Sequence, residues 1–169
     1  MVVSLLLLLI MTVLALSASQ ATRMQERMAG NSRDHDLALQ SAEAGLRAGE
    51  RMIVSLASSP NPCTAPPCQI YESGSPQNLG TGPIALRDDN WWKVNAWQYT
   101  GGDTMKVAGM ARQDPTYLIE NLEDVQEVPS IGPSGAPIFI THFRVTSRGV
   151  GGSPNSAVVL QTTWARKFN

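Results

Sequence analysis

The distribution of apolar and polar positions divides the chain into three unlike stretches. Residues 1–22 hold sixteen apolar side chains and no charge, and the first charged residue is Arg23. Within this run Leu5, Leu6, Leu7, Leu8, Leu9, Ile10, Val13 and Leu14 cover the whole circumference of a helix, so no polar face is left for water. As a helix the run would reach about 33 Å, enough for a hydrocarbon core of about 30 Å. It therefore predicts a membrane-spanning segment that could also sit inside an assembly of like helices. A cleaved secretory signal is the alternative, with Ser17-Ala18-Ser19 as small residues near a cleavage point.

The second stretch, 23–58, changes period rather than conformation. Met28, Ala38, Ala42, Leu46, Gly49, Ile53 and Leu56 recur mostly at three- and four-residue steps, opposite Arg33, Asp34, Asp36, Glu43, Arg47, Glu50 and Arg51. That pattern predicts an amphipathic helix continuing directly from the apolar one. All eleven prolines lie at or beyond Pro60, so nothing upstream forces a break. Gly30-Asn31-Ser32 is the softest point, where a kink or local unwinding is expected. Ala38, Ala42, Gly45, Leu46, Gly49 and Ile53 form the expected packing face. Its small residues allow another backbone to come close, either the chain's own sheet or a neighbouring subunit.

Residues 59–83 read as a Pro- and Cys-rich loop. Cys63 and Cys68 enclose four residues and can close a short disulfide ring in an oxidising compartment. A metal site would need further ligands, and the two histidines, His35 and His142, are remote in sequence. A redox pair would differ from the Cys-x-x-Cys turn in both its spacing and its prolines.

The last stretch, 84–169, reads as a β-rich head. Three tryptophans, Trp91, Trp92 and Trp97, fall within seven residues. They are expected either as core anchors packed on the helix stripe, with Asp88 or Asp89 capping a short helical turn, or as an exposed partner surface. Runs at 117–119, 138–148 and 157–166 are rich in β-branched and aromatic residues, and 149–156 is a hairpin loop. Glu120, Glu123, Asp124 and Glu127 are expected on a solvated sheet edge, or facing a basic neighbouring subunit.

Charge and composition mainly exclude. Thirteen Lys and Arg balance fourteen Asp and Glu, so a polyanion such as nucleic acid is not an expected partner. No nucleophile elbow, phosphate loop, dinucleotide fingerprint or zinc-protease motif is present. No catalytic residue, metal, cofactor or small-molecule substrate is expected.

The N-terminal third carries a specific resemblance. Val2-Val3-Ser4-Leu5-Leu6, Glu26 to Asp34 and Ala42 to Glu50 resemble the N-terminal region of PilX-type minor pilins, and Phe143 to Gly149 with Val158 to Gln161 resemble the family more loosely. The resemblance implies an α+β, type IV pilin-like fold: a long N-terminal helix, half membranous and half amphipathic, packed on a small antiparallel sheet. It also implies a low-abundance subunit that primes pilus assembly at or near the tip, with a part in adhesion or twitching motility. Its expected partners are other minor pilins, the major pilin, the inner membrane and the assembly machinery, with a periplasmic head. Pilins usually carry a basic leader and a glutamate at the fifth mature position, whereas here the apolar run follows Met1 and no acid precedes Glu26. The missing acid fits a subunit with no neighbour above it. The K-type minor pseudopilin of type II secretion is the nearest alternative, and a tethered adhesin or ligand-binding module that never polymerises is the next.

Overall fold

A computed structural model describes residues 1–66, 68–79, 82–99, 111–131 and 137–168, with backbone alone for 123–131 and 137–138. Its dominant element is α1, Val2–Ser55, a single α-helix of 54 residues, about 81 Å long at the helical rise. The helix runs without interruption through Gly30, where a kink was expected. One glycine costs about 1 kcal/mol, which the cooperative helix on either side absorbs.

After α1 come β1 (Tyr71–Glu72), α2 (Ser75–Asn78), a 3-10 turn (Ile84–Leu86), α3 (Asp89–Asn95) and β2 (Trp97–Gln98). Three long strands follow, β3 (Thr116–Ile131), β4 (Pro137–Val150) and β5 (Ala157–Phe168). The sheet runs β1-β3-β4-β5, with β2 also paired to β3. The long strands and β2 are antiparallel, but β1 joins β3 in parallel, through Tyr71↔Glu120 and Glu72↔Asn121. The sheet is therefore mixed rather than antiparallel, because the chain returns from the cysteine loop in the same direction as β3.

Strand alternation gives the sheet two different faces. Tyr117, Ile119, Phe143, Val145, Ser147 and Gly149 turn to α1. There Ile53, Ile70, Ile119, Phe143 and Val145 form the main core, flanked by Leu46, Met52, Leu56, Tyr117 and Phe168. Leu118 turns to the far face and packs with Trp92 and Ile84, joined by Trp91, Ala96 and Val159. The tryptophan core therefore lies across the sheet from α1 and not on the helix stripe. The apolar positions of α1 are already filled by β3 and β4, and α3 covers the other side.

Glu120 also departs from expectation. It is fully buried on the far face of β3 rather than solvated at an edge. Opposite it in register is Arg144, whose Nη1 lies 3.8 Å from its carboxylate, and the Gly74 amide donates to it at 3.3 Å. The added strand β1 and the segment after it cover this acid. The side chains of Glu123, Asp124 and Glu127 lie outside the described residues.

Candidate functional site

The helix changes character at Asp34. From residue 1 to residue 33 every side chain is exposed, and the first buried one is Ala38. Leu5, Leu6, Leu7, Leu8, Leu9, Ile10, Val13 and Leu14 all face outward, with Leu8 63% exposed. Ser4, Thr12, Ser17 and Thr22 fold their hydroxyls back onto carbonyls three or four residues earlier. These four hydroxyls are thus satisfied within the helix, as suits an apolar environment. Among the described residues this is the one helix long and apolar enough to cross a membrane. Met28, a member of the sequence stripe, is exposed because it lies beyond the reach of the head.

From Asp34 onward the helix is bound to the sheet. Ala38, Ala42, Gly45, Gly49 and Ile53 are buried and Leu46 is half-buried. A Cβ at Gly49 would stand 2.5 Å from Val145 Cγ1 and 3.2 Å from Tyr117 Cδ2, and one at Gly45 would run into Ser147 Oγ. On the sheet side, a Cβ at Gly149 would run into the Ala42 amide nitrogen and the Ala38 carbonyl. Glycines on both partners let α1 lie almost on the backbone of β4, and burial at this seam raises the Tyr117 hydroxyl pKa.

Polar contacts close both ends of the seam. Asp34 accepts from the Gly152 amide at 2.5 Å, the Ser153 amide at 3.2 Å and the Ser153 hydroxyl, so one carboxylate clasps the β4–β5 loop. These bonds, led by the Ser153 hydroxyl, hold its pKa below the usual carboxylate value. At the other end the Arg166 guanidinium donates to the Ile53 and Leu56 carbonyls. Both carbonyls lie at the C-terminus of the helix, where a cation is favoured. Neither contact was legible as a motif, since the partners are more than a hundred residues apart.

The cysteine loop is closed by the Cys63–Cys68 disulfide, with Cα atoms 6.0 Å apart. The Cys63 amide donates to the Ile70 carbonyl at 3.0 Å and the Glu72 amide to the Cys63 carbonyl at 2.9 Å, which folds the ring onto β1. Tyr71 donates its hydroxyl to the Asn95 carbonyl at 2.8 Å, and burial raises its pKa. Trp97, although 44% exposed, donates its indole to the Cys68 carbonyl at 2.7 Å.

The other two sequence-selected tryptophans have separate roles. Trp92 is fully buried, while Trp91 donates to the Leu79 carbonyl at 2.9 Å and lies beside the Arg87 guanidinium. Asp88 caps α3 by accepting from the Trp91 amide at 2.9 Å. Asp89 accepts from Lys93 at 2.6 Å, Gln113 at 2.7 Å and Arg148 at 2.9 Å; these contacts, Lys93 foremost, hold its carboxyl well below the usual range. Among the described residues no group of His, Cys, Asp and Glu could hold a metal ion.

A protruding apolar helix whose second half is bound to a small sheet, with a disulfide-closed loop beside it, defines a pilin-like protein. The chain belongs to the PilX family of type IV pilus assembly proteins: the PilX N-terminal family matches residues 1–47, and the family described as type IV pilus assembly protein PilX C-term matches residues 55–166. It is thus a minor pilin related to type IV pilus assembly, with α1 as its candidate membrane anchor. No curated protein and no solved structure matches the chain.

Proposed function

We propose that this subunit waits in the inner membrane with its head in the periplasm, and then helps prime pilus assembly at or near the tip with other minor pilins and the major pilin. The carrying observation is the wholly exposed, apolar first part of α1, set on a head that ends at Asp34. Such a rod has no place in water. It is suited first to lipid and then to a bundle of equivalent helices, where close packing replaces lipid contact. The disulfide fits an oxidising compartment such as the periplasm.

The tip position draws on the acid-free run before Glu26. A buried carboxylate in the filament core would need a cation from a neighbour, and residues 1–25 add no such carboxylate. The role is mechanical, and a part in adhesion would fall to the exposed surface of the head.

The test is deletion of the gene with complementation, combined with site-specific cross-linking from Leu8. Loss of surface pili, restored by the intact chain, with adducts to other pilins is the expected result. Normal piliation with no adducts would overturn the reading in favour of a tethered binder. Intact pili with lost protein secretion would move it to a pseudopilin.

A further inference from the structure

The apolar run of α1 ends on a pair of unpaired cations. Arg23 is the first charged residue of the chain, and Arg27 follows one turn later. At about 100° per residue, both fall on one face of the helix with Gln20, and together with Met24 they line an open hollow of about 310 Å³. Both arginines are exposed, and among the described residues neither guanidinium has an ion-pair or hydrogen-bond partner. Arg144, Arg148 and Arg166 of the head, by contrast, are each held by an acid or by carbonyls.

The run before them sets their depth in a bilayer. Headgroups add about 5 to 7 Å on each side of a hydrocarbon core of about 30 Å. With residues 1–22 centred in that core and the helix upright, the Cα atoms of Arg23 and Arg27 stand about 2 and 8 Å outside it. A helical Cα–Cβ bond tilts toward the helix N-terminus, so both side chains start out leaning back toward the lipid. Their guanidinium groups then meet the phosphate layer on the head's side, whereas Arg33, about 9 Å beyond Arg27, clears it. Glu26 is the one acid in this stretch and lies about 60° round the helix from Arg23. Two cations against one acid leave a net charge of +1.

We propose that Arg23, Arg27 and Gln20 bind the headgroup phosphate of an anionic phospholipid on the head's side of the membrane. The inference rests on the reading of α1 as a helix that sits in lipid before assembly. A phosphodiester offers two anionic oxygens, which a guanidinium fork engages in pairs, and Gln20 adds an amide donor. A zwitterionic lipid carries its own cation beside the phosphate and an anionic one does not, so the residual positive charge selects the anionic lipid. The contact fixes how deep the rod sits while the subunit waits. It must be given up when the helix leaves lipid for a bundle.

The experiment places the full chain in phosphatidylcholine nanodiscs carrying a rising fraction of phosphatidylglycerol. NMR follows the side-chain Nε–H resonances of Arg23 and Arg27, assigned from Arg23→Gln and Arg27→Gln. Both should shift saturably with phosphatidylglycerol at constant ionic strength, while glycerol phosphate added to discs of phosphatidylcholine alone should shift neither. Removing either arginine should weaken the response at the other roughly fivefold, the effect of one cation near an anionic surface, and Glu26→Gln should strengthen it. Flotation with vesicles of the same lipids reads insertion separately. A chain that fails to insert would overturn the membrane reading itself. An inserted chain whose arginines ignore phosphatidylglycerol would overturn the lipid site alone and leave the pair to an acidic helix of a neighbouring pilin. Equal shifts with free glycerol phosphate, or an unchanged response in both single variants, would overturn it as well.

Discussion

Gly149 of β4 lies directly against Ala42 of α1, backbone to backbone. A Cβ at Gly149 would meet the Ala42 amide nitrogen and the Ala38 carbonyl oxygen, and would stand 2.8 Å from the Ser41 carbonyl carbon. These are main-chain atoms of a rigid helix and cannot turn aside as a side chain tip would.

Gly149→Ala should therefore cost about 3 kcal/mol or more, at the upper end of overpacking effects. Urea unfolding of the full chain in detergent, followed by tryptophan fluorescence, would measure it. Gly30→Ala is the internal comparison. Nothing lies within 4 Å of a Cβ there, so the change should stabilise by up to about 1 kcal/mol through helix propensity alone. Equal effects at the two sites would refute the close seam.

Removing the Asp34 carboxylate should release the β4–β5 loop. In Asp34→Ala the Gly152 and Ser153 amides should exchange with solvent faster, while those of Val145 and Phe143 keep their protection. The pH dependence has a definite sign. The pKa of Asp34 in the folded chain lies below the ordinary 3.8, first through the Ser153 hydroxyl. The clasp thus contributes fully above that pH and is lost as pH falls through the lowered value. The Gly152 amide shift should titrate below pH 3.8, and a midpoint at or above that value would contradict the clasp.

Opening the Cys63–Cys68 ring should loosen β1 before it affects the main core. Chain closure over so short a ring contributes about 1 to 3 kcal/mol. Cys63→Ser or reduction should lower stability by that order and alter Trp97 fluorescence, because the Trp97 indole is bonded to the Cys68 carbonyl. Two alkylatable thiols in protein taken directly from the cell would show that the ring is open there.

Leu8→Arg places a cation in the middle of the exposed apolar rod. Insertion of an arginine at a membrane centre costs about 2.5 to 3.5 kcal/mol on translocon scales. Membrane recovery or piliation should fall accordingly, as read by fractionation and surface pilus counts. Leu8→Ile is the control, and normal levels of both in Leu8→Arg would argue against either lipid or a helix bundle as the rod's surroundings.

Periodic features were the most legible in the sequence. The apolar run, the stripe from Ala38 to Ile53 and the alternation at 143–146 each repeat a local rule, and each corresponds to an observed element. Gly45 and Gly49 announced a close approach, although not the identity of the partner backbone. What stayed hidden depends on pairing across the chain. Glu120 reads as solvent-facing until β1 and the Gly74 amide are seen to cover it. The two-residue β1 carries too little pattern to reveal a parallel pairing. Trp92 was recognisable as a core residue, but only the sheet decides which face it covers. Asp34 and Arg166 are ordinary surface charges locally, and their partners lie 118 to 119 and 110 to 113 positions away.

The single long helix also determines how the head would carry force. A pull on the free end of α1 runs parallel to the seam, so the interlocked glycines and β-branched side chains resist sliding together and do not peel apart one by one. Arg166 holds the C-terminal end of the helix and Asp34 the opposite end of the seam, which makes the head a collar gripped at both rims. Under load any slip would have to drag Ala42 past Gly149, where main chain meets main chain.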